Sequence, residues 1–160
     1  MIKSRIQLGL IILLVLLVGL LLLSQKATPD QQLLFGLKRV QEKAFLKLKT
    51  TPADRLDYMS SLLNSRLEEL QNVVKNKNYD YVLSSSRRYF TLAGQITDLV
   101  VANNLTGKIQ GLKEQFLNHK KVLNVIYVAY PKNTENVEYK YIKDDFNYLG
   151  LYLDKLEKVK

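Results

Sequence analysis

The sequence contains no cysteine and a single histidine, His119. A disulfide framework, a thiolate nucleophile and a Cys-ligated zinc are therefore excluded, and one imidazole cannot supply the two or three that a catalytic zinc takes. Acidic residues are scarce: 15 Asp and Glu stand against 24 Lys and Arg, a formal charge of +9 over 160 residues. Proline occurs only at positions 29, 52 and 131, and none of the three interrupts a periodic apolar run, so long helices are permitted between them. This length allows one modest domain with accessories. A mean hydropathy of −0.11 averages a very apolar amino-terminal stretch with a polar, basic remainder.

That stretch, Ile6 to Leu23, is 18 residues long, contains ten Leu, and is interrupted only by Gln7, Gly9 and Gly19. As a helix it is roughly 27 Å long, close to the hydrocarbon thickness of a bilayer. A buried core helix is normally amphipathic, whereas this run is apolar on every face, which predicts a transmembrane helix over 6–24. Lys3 and Arg5 also resemble the basic region of a cleaved signal peptide. However, Ser24-Gln25-Lys26-Ala27 puts Gln25 where a cleavage site wants a small side chain, so the reading is an uncleaved signal anchor. The same two basic residues predict a cytoplasmic tail over 1–5 and an extracytoplasmic domain over 25–160. Setting them aside leaves 22 basic against 15 acidic residues, or +7, in that domain.

Beyond the anchor, apolar residues recur at helical spacing. Thr28-Pro29-Asp30-Gln31 and Thr51-Pro52-Ala53-Asp54 each offer a capping hydroxyl followed by proline at the first helical position. The first predicts a helix to about Leu48 with the stripe Leu33, Leu34, Leu37, Val40, Ala44 and Leu48. The second predicts one carrying Leu56, Met59, Leu63, Leu67, Leu70 and Val74. A link of a few residues predicts that the two form an antiparallel hairpin over 28–75. A third stripe runs from Val82 to Val100 and a fourth from Leu105 to Ile126. Val122 to Tyr130 has strand propensity, but Pro131 follows directly and no partner strand is evident, so helix is predicted. Thr134 is the expected cap of a last helix carrying Tyr141, Tyr148, Leu149, Tyr152 and Leu156. The fold class is all-α: a transmembrane helix followed by an antiparallel bundle of four or five helices.

Leu37-Lys38-Arg39 with Glu42, Thr51-Pro52-Ala53-Asp54-Arg55 and Arg66-Leu67-Glu68-Glu69-Leu70 together resemble an uncharacterised helical family of bacterial and archaeal envelope proteins, known only as a domain of unknown function. The resemblance covers about Thr28 to Lys75 and, more weakly, Tyr89 to Leu99; residues 101–160 have no counterpart in it. It implies a helical module close to a membrane anchor, and no catalytic residue can be carried over from it.

Candidate chemistry is sparse. His119, beside Lys120 and Lys121, reads as a surface histidine. The adjacent carboxylates Glu68-Glu69 and Asp144-Asp145 read as solvated charges pointing to different helix faces. Lys38, Arg39 and Glu42 have ion-pair spacing on a helix surface, and Arg87-Arg88 reads as an exposed cluster. Arg66 falls between Leu63 and Leu70 on an apolar face, where its guanidinium must be paired or snorkel. Six of ten tyrosines lie between Tyr127 and Tyr152, mainly as bundle packing. Arg66, Tyr141, Tyr148 and Tyr152 are the candidate ligand or partner contacts. No catalytic residue, metal ligand or cofactor site is expected, and the outward placement argues against nucleic acid. The expected role is a non-enzymatic, single-pass envelope protein whose outward helices bind or scaffold an envelope protein or anionic polymer. The alternative is an accessory extracytoplasmic sensing domain that binds a small ligand or anionic polymer and acts through partner membrane proteins.

Overall fold

Helix ends in this chain are decided by a few hydrogen bonds near each turn. The computed structural model describes residues 2–25, 27–132 and 137–159, with side chains from residue 11 onward. Among these lie six α-helices, α1 (Ile2–Ser24), α2 (Gln32–Leu48), α3 (Pro52–Lys75), α4 (Val82–Ala102), α5 (Thr106–Ala129) and α6 (Tyr139–Glu157), with a 3-10 turn at Tyr79–Tyr81 and no strand. The start of α3 is the predicted one: Thr51 is extended and its Oγ1 accepts the Asp54 N–H at 3.1 Å, with Pro52 at the first helical position. The start of α2 is not. Thr28 to Gln31 instead closes a turn in which the Gln31 N–H donates to the Thr28 carbonyl at 2.9 Å. Proline presets φ for the second residue of a turn as well as for the first of a helix, and here it serves the turn.

Two helices end through residues with positive φ. After α3, Lys77 (φ 59°) lets the Asn78 and Lys77 N–H groups donate to the carbonyls of Val73 and Val74. After α4, Asn104 (φ 48°) does the same with Leu105, Asn104, Val100 and Val101. Both are Schellman ends, the second on the Asn type that tolerates this conformation. Helix α5 continues through the β-branched stretch to Ala129, because Leu123 and Ile126 extend the buried face of Leu112 and Phe116. The cap expected at Thr134 lies outside the described residues.

The chain divides into two compact units, Met1–Phe45 and Leu46–Lys160. The boundary falls inside α2, so the 28–75 segment is shared between them. In the first unit, Gln41 Nε2 donates to the Leu21 carbonyl at 3.2 Å and to Ser24 Oγ at 3.0 Å. Lys38, expected on the surface, is buried there with Nζ 3.4 Å from the Ala27 carbonyl. Most of the stripe predicted as the core face of α2 is exposed, including Leu33, Val40 and Leu48. Along α1 the apolar side chains from Ile11 to Leu23 are exposed apart from a half-buried Leu21. Among the described residues no helix is long and apolar enough to cross a membrane, and for α1 the described side chains are those of 11–24.

In the second unit α3 to α6 form a four-helix bundle. Helix α4 packs between α3 and α6, and α6 between α4 and α5. Lys113 with Glu157 and Tyr127 with Tyr139 set α5 antiparallel to α6. Ser86 with Asp145 and Asp98 with Lys155 set α4 parallel to α6. Leu63, Leu70, Ile96, Phe116, Leu123 and Leu149 are fully buried at the centre. Tyr79, Tyr130, Tyr139 and Tyr127 form a chain of tilted ring contacts, with centroids 4.8–6.3 Å apart, around one end.

A side chain with a β-carbon at Lys77 carries a left-handed penalty of roughly 1 kcal/mol that glycine avoids. Lys77→Gly should therefore raise stability by about 1 kcal/mol, and Asn104→Gly by less, in thermal unfolding followed by circular dichroism.

Candidate functional site

Each apolar stripe of the bundle repeats in steps of three and four, and at one level the repeating positions are polar. On α4 the stripe is Val82, Ser86, Tyr89, Ala93 and Ile96; on α5 it is Leu112, Phe116, His119, Leu123 and Ile126; on α6 it is Ile142, Asp145, Leu149, Leu153 and Leu156. All of these positions are buried. The polar members are therefore carried inside by the same periodicity that buries their neighbours.

His119 is 6% exposed, which overturns the surface reading: the lysines beside it face outward while its own position faces the core. Its Nε2 lies 2.8 Å from Asn64 Oδ1, and its Nδ1 lies 3.0 Å from the Tyr89 hydroxyl. Asn64 Oδ1 also accepts from Gln115 Nε2 at 2.6 Å, so it is an acceptor toward the ring. Nε2 then carries the proton and Nδ1 accepts from Tyr89 O–H. Burial lowers the His119 pKa to about 4, and the imidazole is neutral with both nitrogens engaged. The network runs from exposed Asn64 and half-buried Gln115 to the wholly buried Tyr89.

Asp145 is the second correction. It is 0% exposed; Asp144 takes the solvated face and Asp145 the core position. Oδ1 accepts from Ser86 Oγ at 2.9 Å, and among the described residues Oδ2 has no hydrogen-bond partner. Burial pushes the carboxyl well above the usual range, Ser86 opposes this, and Asp144 adds to it. The Tyr89 hydroxyl is likewise raised, first by burial and then by the negative field of Asp145. Ser86 Oγ also sits 3.3 Å from the Tyr141 carbonyl.

One turn of α3 further along, Arg66 Nη1 pairs with Glu69 Oε1 at 2.7 Å, and Arg88 Nη2 lies 3.5 Å from Glu69 Oε2 and 3.2 Å from Ser85 Oγ. Arg66 is thus paired within the bundle, as its apolar flanks require. Glu69, read as solvated, is buried because it lies i+3 from Arg66 and faces α4. Arg88 is half-buried rather than exposed.

The tyrosine candidates divide. Tyr148 stacks on Phe90 at 5.0 Å and on Tyr152 at 6.2 Å. The Tyr152 hydroxyl donates to the Phe90 carbonyl at 3.4 Å, and a Cβ on Gly94 would stand 2.8 Å from it. Gly94 is therefore the gap that Tyr152 fills. Tyr141 is half-buried and touches neither ring among the described residues. Structure brings Tyr148 and Tyr152 together and leaves Arg66 in the separate ion cluster. A surface groove of about 500 Å³ lies between α5 and α6, lined by Leu117, Lys120, Lys121, Asn124 and Phe146, and a smaller cavity of about 190 Å³ includes Asp57, Lys108 and Gln115. Among the described residues no three His, Asp or Glu side chains converge on a point where a metal ion could sit.

Chemically, the buried layer holds protons in fixed places and offers no accessible nucleophile. It aligns the helices: a slip of one turn would separate Ser86 from Asp145 and Tyr89 from His119, at about 1–3 kcal/mol for each buried group left unsatisfied.

A family profile described as a domain of unknown function, DUF5667, matches residues 26–133. This range takes in α2 to α5 and extends well beyond the 28–75 segment, into the region for which the sequence had offered no counterpart. No curated protein and no solved structure shows significant similarity to the chain.

The two buried groups oppose each other in pH dependence. The unfolded chain protonates His119 near pH 6.5 and the folded one near 4, so its contribution is full above the upper value and falls through that window. A gap of this size is worth about 3 kcal/mol, and His119→Gln should flatten the loss. Asp145, raised in the folded state, weakens stability as pH rises above the unfolded carboxylate value of about 3.9. Asp145→Asn should therefore be the more stable form at pH 7, with the gap closing as pH falls toward 4. Melting temperature against pH for the three proteins checks both signs.

Proposed function

We propose that this chain, which belongs to the DUF5667 family of domains of unknown function, is a single-pass membrane-anchored envelope protein whose helical bundle is a non-enzymatic binding or scaffolding module. The observation that carries the reading is α1. The run Ile6 to Leu23 is nearly free of polar residues, and its described apolar side chains are exposed apart from half-buried Leu21. Such a helix is stable only in a hydrocarbon solvent that covers every face.

Orientation follows from Lys3 and Arg5 before the run, which favour a cytoplasmic amino terminus. The bundle then lies outside. Its interior is filled by side chains and its polar layer is largely buried, so recognition falls to the outer surface, which suits a protein or polymer partner. A sensing role would be served by a groove at Tyr141, Tyr148 and Tyr152; Tyr148 and Tyr152 instead pack on Phe90 and over Gly94, which favours scaffolding.

Protease added to spheroplasts that express the chain with a carboxy-terminal tag should remove the tag without permeabilisation. A tag that survives until the membrane is opened would reverse the orientation.

A further inference from the structure

Helix α2 turns most of its apolar stripe outward, with Leu37 half-buried. Leu33, Leu37, Val40, Ala44 and Leu48 lie at helical spacings of four, three, four and four, so they share one face. Leu33 is 91% exposed, Leu48 72% and Val40 64%. The opposite side is the packed one: Phe35 and Lys38 are buried, and Lys38 Nζ meets the Ala27 carbonyl. Along one flank of the stripe run Arg39, Lys43 and Lys47, four residues apart and all exposed. Only Glu42 offsets the basic residues of this helix.

Two features place this face near the end of α1. The link between Ser24 and Gln32 is seven residues, which reach at most about 25 Å even when extended. Gln41, at the middle of α2, donates to the Leu21 carbonyl and to Ser24 Oγ, at the last turn of α1. If α1 is the anchor, the middle of α2 stands at the depth where the hydrocarbon ends and the head groups begin.

We propose that α2 is an interfacial helix that lays the Leu33–Leu48 stripe into an anionic lipid surface, with Arg39, Lys43 and Lys47 against the head-group phosphates. The inference rests on the anchor reading of α1. A lipid surface suits the face better than a second copy of α2, because two copies would bring basic flanks of the same sign together, while acidic head groups neutralise them.

The native chain has no tryptophan, so a single introduced indole reports depth. Full-length chains carrying Val40→Trp or Leu14→Trp are reconstituted into vesicles of acidic or zwitterionic phospholipid brominated either near the glycerol or near the chain end. Leu14→Trp should be quenched by the deep bromines in both lipids. Val40→Trp should be blue-shifted and quenched about twofold by the shallow bromines in acidic vesicles, and the combined change Arg39→Glu, Lys43→Glu and Lys47→Glu should abolish that quenching while leaving Leu14→Trp unaffected. Quenching at Leu14→Trp with none at Val40→Trp overturns the interfacial helix and leaves the anchor standing. Blue-shifted but unquenched emission at Val40→Trp overturns it in favour of a protein-covered face. Val40→Trp quenching that is equal in both lipids and indifferent to the charge changes overturns the anionic recognition. Absence of quenching at Leu14→Trp overturns the anchor reading itself.

Discussion

Apolar side chains must leave water, and the two units of this chain meet that constraint in opposite ways. In Leu46–Lys160 four helices turn their apolar stripes toward one another, and Leu63, Leu70, Ile96, Phe116, Leu123 and Leu149 vanish from the surface. In Met1–Phe45 the described apolar side chains of α1 and much of the stripe of α2 stay uncovered by protein. Burial at about 25 cal/mol per Å² makes such exposure costly in water, and the proposed anchoring of the first unit is argued from that cost. The membrane reading is the consequence of this imbalance rather than of any motif.

Inside the bundle a second constraint acts on the first. Ser86, Tyr89, His119 and Asp145 occupy positions that the apolar period would give to leucine, and each must find its hydrogen bond within the core. Replacing them with apolar residues would enlarge the hydrophobic contribution but remove the marks that tell one register of the four helices from another. Asp145 Oδ2, buried without a partner among the described residues, is where this layer is least satisfied. Lys120, set 4.3 Å over the Phe146 ring, and the ion pairs Lys108–Asp57, Lys113–Glu157 and Lys155–Asp98 fasten the outer seams, each weakly because solvent screens them.

Much of the fold was legible in sequence because helix boundaries are local. Thr51 and Pro52 announce the start of α3, and the lack of a partner strand leaves helix for the stretch that Pro131 ends. Thr28 and Pro29 misled, because the same residues serve a turn as readily as a helix start. The candidate site was less legible. A reading that marks only apolar residues on a helical wheel leaves a blank at 119 on α5 and at 145 on α6; the neighbours at three and four residues on each side, Phe116 with Leu123 and Ile142 with Leu149, show that both positions face inward. Adjacent charges obscured this: Lys120 and Lys121 made His119 look solvated, and Asp144 did the same for Asp145. The α2 stripe failed differently, since its period was read correctly but periodicity does not reveal whether protein or lipid covers the face.

Anchoring is the claim on which the functional account depends, and alkaline carbonate extraction of membranes from expressing cells tests it most directly. The full-length chain should remain in the membrane pellet, while a chain lacking residues 2–24 should be released. Release of the full-length chain into the supernatant would contradict the account.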